Sequence, residues 1–263
     1  MPGGPSPARQ QGDTLSTRQV VRHRSGRALL VFLFDVDNTL LDNDHVIEDL
    51  KVFLKREVGP ERARCYRAIF EKQRRHLGYA DYLGALQRFR RDYPRDPSLL
   101  KISRYLIDYP FARRLFPQSL AVTEYVRRWG LVVLLTDGDV VFQPHKVDRS
   151  GLYQAVQGNA LIYVHKEREL ADVEARYPAE HYILVDDKLA ILTAIKKIWK
   201  SRLTTIFVRQ GHYALDAGIL ARCPDADTSI AGIGDLLRCE RGNFEPSDKR
   251  SPRRSAKADH ASQ

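Results

Sequence analysis

At 263 residues the chain is long enough for one large domain or for a domain carrying an insertion. Its 43% apolar content supports a real core and its 29% charged content an ordinary polar surface, and no apolar run approaches the ~18 residues of a membrane span, which argues against an integral membrane protein. The formal charge of +10 suggests nucleic acid, but its distribution weakens that reading.

Residues 1–28 hold five arginines against Asp13, and residues 241–263 hold six basic residues against Glu245, Asp248 and Asp259. The two ends carry +4 and +3, which leaves +3 for the body between them. Both ends are polar or Pro/Gly/Ser-rich and lack apolar periodicity. Residues 1–27 and 239–263 are therefore expected to be disordered basic tails, and nucleic acid to meet weak tail contacts at most. No apolar signal segment occupies the usual N-terminal place, and Cys65, Cys223 and Cys239 form no C-x-x-C pair. These features point to a cytoplasmic protein without a disulfide framework or a zinc site.

The first predicted strand is ALLVFLF, residues 28–34, followed by Asp35-Val36-Asp37-Asn38-Thr39. About ninety residues then intervene before the next strand, far more than one crossover needs. They read as four helices, VIEDLKVFLKREVG, PERARCYRAIFEKQRRHLG, ADYLGALQRFRRDY and DPSLLKISRYLIDY, punctuated by Gly59-Pro60, Gly78, Pro94 and Pro97. Residues 43–115 are thus expected to be a helical insertion, and PQSLAVTEYVRRWG leads back to the second strand, LVVLL at 131–135. Strands ALIYV (160–164), HYILV (181–185) and LTTIFV (203–208) follow, separated by the helical stretches VFQPHKVDRSGL, RELADVEARY and LAILTAIKKIWK. Each strand is a continuous apolar run, as expected for strands buried on both faces of a parallel sheet. The alternation predicts a doubly wound α/β fold without internal repeats. The insertion follows the carboxyl end of the first strand, where open α/β sheets bind ligands.

Polar groups follow four of these strands: Asp35 and Asp37 after the first, Thr136-Asp137-Gly138-Asp139 after the second, His165-Lys166 after the third, Asp186-Asp187-Lys188 after the fourth. Buried together without a partner, so many carboxylates destabilise a fold. A divalent cation resolves the conflict, and oxygen donors without His or Cys favour magnesium (Mg2+), often shared with a phosphate. Lys166 offsets further negative charge and suits phosphate as a point charge.

D-x-D-x-T after a hydrophobic strand, Thr136 after the second, Lys166 after the third and Asp186-Asp187 after the fourth resemble the four motifs of the haloacid dehalogenase (HAD) superfamily, over about residues 28–238. The resemblance implies a doubly wound parallel Rossmann-like core at 28–42 and 116–238. It makes residues 43–115 an α-helical cap similar to that of the phosphoglycolate phosphatase-like and β-phosphoglucomutase-like branch. It implies Asp35 as nucleophile, Asp37 as general acid and base, and Thr136, Asp137, Gly138 and Lys166 around the phosphoryl group. Asp35, the backbone carbonyl of Asp37, Asp186 and Asp187 are the implied Mg2+ ligands. A carboxylate two residues after the nucleophile separates phosphoryl-transfer members from dehalogenases, because an alkoxide leaving group needs a proton and a halide does not. The expected activity is hydrolysis of a small phosphorylated substrate, with a sugar-phosphate mutase or a regulatory binding protein as the alternatives.

Other residues have blander readings. Lys146 rivals Lys166 as the third-motif lysine but falls in a helix rather than after a strand. Lys188 reads as a residue of a helix N-terminus, Asp137 and Asp139 as possible helix caps, and Asp42 and Asp44 as caps of the first inserted helix. Thr39 reads as a loop-ordering residue that bonds local backbone. Arg74, His76, Tyr79 and Tyr82 read as surface around a turn, with a substrate-facing alternative, and Arg209 and His212 as a polar loop.

Overall fold

The computed structural model describes residues 28–244. The expected tail at 1–27 and most of that at 239–263 lie outside this range. Six strands form one parallel sheet: β1 (Ala28–Phe34), β2 (Leu131–Asp137), β3 (Ala160–Tyr163), β4 (Ala179–Asp186), β5 (Leu203–Val208) and β6 (Thr228–Ile230), in the order β3-β2-β1-β4-β5-β6. The sheet is doubly wound, as predicted. β6 is a short, partly exposed edge strand of sequence TSI, too brief and too polar for its periodicity to announce it.

The strands alternate between two cores, as a period of two requires. Leu30, Phe32, Phe34, Leu134 and Val185 face one side, where α4 (Ser119–Arg127) and α5 (Phe142–Arg149) contribute Val122, Val126, Phe142 and Val147. Val31, Leu33, Leu135 and Leu184 face the other. There α7 (Leu170–Arg176) and α8 (Leu189–Trp199) bring Val173, Leu192, Ile195 and Trp199. Helix α6 (Leu152–Ala155) precedes β3, while α9 (Gly211–Leu215) and α10 (Ala217–Leu220) follow β5.

Between β1 and α4 the chain forms α1 (Asn43–Leu77), α2 (Tyr82–Asp92) and α3 (Ser98–Ile107). The two first predicted helices are the arms of α1, which bends at Gly59 (φ 79°, ψ 165°) before Pro60. The positive φ suits glycine, and the proline ring cannot continue the hydrogen-bond ladder through the bend. Outgoing and returning chains are paired where they meet the sheet: Asp42 donates to Arg114 O at 2.7 Å and Phe116 to Leu40 O at 2.9 Å. Phe142 of α5 packs against Tyr82 (4.8 Å between ring centroids) and Phe111 (5.6 Å), joining the inserted helices to the sheet layer. Among the described residues no helix is long and apolar enough to cross a membrane.

One boundary differs from expectation. Residues 239–244 do not behave as tail: Phe244 is 1% exposed and packs on Phe32 (5.1 Å) and Trp129 (5.3 Å). A lone aromatic in a polar stretch has no periodicity to reveal it, yet it closes the core below β1. Phe244→Ala is expected to cost about 3–5 kcal/mol, the usual range for deleting a buried aromatic. Urea denaturation of the full chain measures it; a loss below about 1 kcal/mol would return the segment to the tail.

Candidate active site

The carboxyl ends of β1, β2 and β4 are adjacent in the sheet, and the residues following them converge. The Asp35 N–H donates to Val185 O of β4 at 3.0 Å, extending the ladder one residue past β1. The chain then turns tightly, Leu40 and Leu41 donating to Val36 O at 3.0 and 2.9 Å. Asn38 takes φ 61° in that turn, a left-handed conformation that asparagine tolerates well.

Lys166 lies at the centre. It is fully buried, and its Nζ donates to Asp35 Oδ1 and Asp186 Oδ2, both at 2.6 Å, and to Leu135 O at 3.3 Å. Its backbone N–H donates to Asp137 Oδ1 at 2.7 Å. Burial alone would lower its pKa, but the charges of Asp186, Asp35 and Asp137 outweigh that and hold it above the ordinary lysine value. Thr39 donates its hydroxyl to Asp35 Oδ2 at 3.3 Å, so it supports this carboxylate rather than local backbone alone.

Asp35, Asp186 and Asp187 each place a carboxylate oxygen within 4.8 Å of the others. Among the described residues, both oxygens of Asp187 are buried without a hydrogen-bond partner. Burial, then the neighbouring charges of Asp186 and Asp35, push the Asp187 carboxyl well above its ordinary pKa. Burial also raises Asp186, against the opposing charge of Lys166. Lys188 is raised too: burial would lower it, and the charges of Asp35 and Asp187 prevail. Orphaned oxygens, hard donors and clustered negative charge fit a divalent cation held by Asp35, Asp186 and Asp187.

Asp37 is 20% exposed at its side chain and pairs with Lys146, which contacts its oxygens at 2.8 and 2.9 Å. The two lysines therefore take different partners, Lys166 the Asp35–Asp186 pair and Lys146 the Asp37 carboxylate. A small cavity of about 50 Å³ opens beside these groups, lined by Asp35, Asp37, Thr136 and Lys188 and closed by Arg74 and Tyr79 of the inserted segment. Thr136 Oγ1 accepts from Gln143 Nε2 at 3.0 Å. Asp137 also lines the cavity, and its carboxyl is pushed up to about 6, by burial first, against the charge of Lys166.

Some expected placements differ, while two expected caps hold. The Gly138 amide donates to Tyr163 O at 2.9 Å, so it is spent on the strand β3 rather than offered to a ligand. What Gly138 supplies is room, since a Cβ there would lie 2.4 Å from Gln143 Cβ. Asp139 caps α5 through Val141 N and Phe142 N (2.9 and 2.6 Å), and Asp42 caps α1 through His45 N (3.0 Å). Asp44 is not a cap: it joins Asn38 (3.1 and 3.2 Å) to His212 (2.7 and 2.8 Å), tying the β1 turn to α9. Tyr82 is core, at 1% exposure, and Arg209 donates to Ser229 Oγ at 3.0 Å. His76 lines a separate cavity with Tyr79 and Arg88. Asn43 and the contact of Lys146 with Asp37 are what strand-end reading missed in this region. The available signal was a lysine at the inward-facing position of a helix whose stripe is Phe142, Lys146 and Val147.

A solved haloacid dehalogenase-like hydrolase from Burkholderia xenovorans LB400 is 55% identical, with a TM-score of 0.77, over 80% of this chain and 98% of that one. The chain belongs to the haloacid dehalogenase-like hydrolases. More distant structures share the HAD-like fold. The HAD-hydrolase YfnB from Bacillus subtilis, solved bound to magnesium, is 14% identical with a TM-score of 0.53 over 80% of this chain and 97% of that one. The L-2-haloacid dehalogenase from Xanthobacter autotrophicus, solved with chloropropionic acid covalently bound, is 16% identical with a TM-score of 0.52 over the same shares of the two chains. No protein-family model matches the sequence, and no curated protein does. Asp35, Asp186, Asp187 and Lys166 thus lie at the strand ends of a HAD-like fold.

The raised carboxyls carry a pH signature. With pKa values raised on folding, Asp187 and Asp137 keep protons that the unfolded chain has lost. Their penalty is absent below the unfolded value of about 4 and grows as pH rises through the folded value, about 6 for Asp137. In EDTA, Asp187→Asn and Asp137→Asn are therefore expected to gain stability over wild type as pH rises from about 4 to 7. Thermal unfolding against pH checks this; parallel curves for variant and parent would contradict it.

Proposed function

We propose that this HAD-like hydrolase is a magnesium-dependent phosphomonoesterase for compact organic phosphates, working through a phosphoryl group carried on Asp35. The observation that carries the reading is Asp37. A second carboxylate lines the same cavity two residues after the buried nucleophile, where a proton donor to an alkoxide would be needed and a halide would have no use for one.

Asp35 attacks phosphorus in line with the leaving oxygen, forming the new P–O bond as the ester bond breaks. Asp37 gives its proton to that leaving oxygen. Water then attacks phosphorus, passes a proton to Asp37, and the P–O bond to Asp35 breaks to restore the carboxylate. Lys166 has its three protons on Asp35, Asp186 and Leu135 O, so its contribution to the phosphoryl group is its charge. Thr136 adds a hydroxyl at the cavity wall. Asp35, Asp186 and Asp187, with the Asp37 backbone carbonyl that the family resemblance implies, would hold Mg2+. When bound, the ion supplies neutralisation of the phosphate oxygens and of the acids around them. An arginine and a tyrosine of the inserted helices at the cavity wall favour a small anionic ester over a polymer.

A panel of phosphate esters assayed with Mg2+ tests the proposal. Turnover is expected with small monoesters, lost in EDTA, reduced by at least about 10⁴-fold in Asp35→Asn and by about 10²–10⁴-fold on alkyl esters in Asp37→Asn. Dehalogenation of 2-haloacids without ester hydrolysis would overturn it. Mg2+ at 100 times its dissociation constant is also expected to stabilise the protein by about 2.7 kcal/mol. Asp187→Asn should lose most of that gain; an undiminished gain would move the ion elsewhere.

A further inference from the structure

Asp37 has a partner that none of the strand-end segments supplies. Lys146 projects from the inward face of α5 and is fully buried. Its ammonium spans both Asp37 oxygens at 2.8 and 2.9 Å and donates to Asn43 Oδ1 at 3.1 Å. The rings of Tyr82 and Phe142 flank it, 5.9 and 5.7 Å from Nζ to their centroids. The cavity-facing acid and Asn43 thus supply the hydrogen-bond acceptors that this buried side chain needs.

We propose that Lys146 is a positioning residue for proton transfer at Asp37, an inference that rests on the phosphomonoesterase reading above. Negative charge grows on the Asp37 carboxyl as its proton passes to the leaving oxygen. An ammonium already in place stabilises that charge without reorganising at the moment of reaction. Gripping both oxygens also fixes the plane of the carboxyl group toward the cavity. The proton leaves Asp37 as the ester bond breaks and returns from the attacking water, and Lys146 keeps its own protons throughout. Asn43 opens α1, and Tyr82 at the start of α2 donates its hydroxyl to the same Asn43 oxygen at 3.4 Å. The grip is thus assembled where the inserted helices seat on α5, so cap and proton donor are set together.

The test compares kcat/KM, which reports the first phosphoryl transfer, for two esters in the full chain with Mg2+. The leaving group of 4-nitrophenyl phosphate needs little protonation, whereas that of glycerol 1-phosphate needs a full proton. Lys146→Met, close in volume, is expected to lose about 10²-fold on the alkyl ester and no more than about threefold on the aryl ester. Lys146→Ala should show the same selectivity, with alkyl-ester activity partly restored by ethylammonium and not by ethanol. Equal losses on both esters, or no response to the amine, would overturn the proposal. A crystal structure of Lys146→Met reads the same claim without turnover. A reoriented Asp37 carboxyl supports it and an unchanged one overturns it, even if neither ester is hydrolysed, a failure that would fall on the phosphomonoesterase reading alone.

Discussion

The site depends on one buried ammonium. Lys166, delivered by the loop after β3, bonds the acid following β1, the acid ending β4, the Leu135 carbonyl of β2 and, through its own amide, Asp137. It thereby connects four strand ends with a single side chain and its backbone. Without it, Asp35 and Asp186 would face each other across a dry interior, where like charges are costly. Lys166 does not complete the balance. Asp187 lies beyond its reach: among the described residues its oxygens are buried without a hydrogen-bond partner, and burial with the charges of Asp186 and Asp35 holds its carboxyl well above the ordinary value.

The inserted helices are joined to this centre by more than the chain crossing. Their entry and exit segments pair at Leu41 and Leu115, Phe142 packs under Tyr82 and Phe111, and Asn43 meets Lys146. On the far side, Asp44 links the β1 turn to His212. Burial raises the Asp44 carboxyl, and its bonds and charge contact with His212 more than reverse that, leaving it below the ordinary value. Leu41, Asn43 and Asp44 in these contacts lie within a few positions of Asp37. The cavity is therefore bounded by the two layers together, with Arg74 and Tyr79 from one and Asp35, Asp37 and Thr136 from the other.

What could be read from sequence follows from what burial does to composition. Strands covered on both faces become unbroken apolar runs, so the first five were visible, as were the polar residues ending four of them. TSI of β6 lies half-exposed at an edge, and nothing in its composition separates it from loop. Phe244 was hidden by polar neighbours, since a single anchor makes no pattern. Asp42 and Asp139 are caps as their positions suggest, but Asp44, two residues from Asp42, is committed to a partner 168 positions away, which no local preference encodes. The contact of Lys146 with Asp37 was hidden for a related reason. A lysine in a helix is usually solvated, and only the fold brings its ammonium onto Asp37.

The central claim is that Asp35 carries the phosphoryl group. Rapid acid quench of the enzyme during turnover of a phosphate ester, followed by borohydride, reduces an acyl phosphate to an alcohol and so converts the modified aspartate to homoserine. Peptide mass mapping is predicted to find homoserine at position 35 only in the substrate-treated sample. Substrate turnover with homoserine at another position, or at none, would contradict the account.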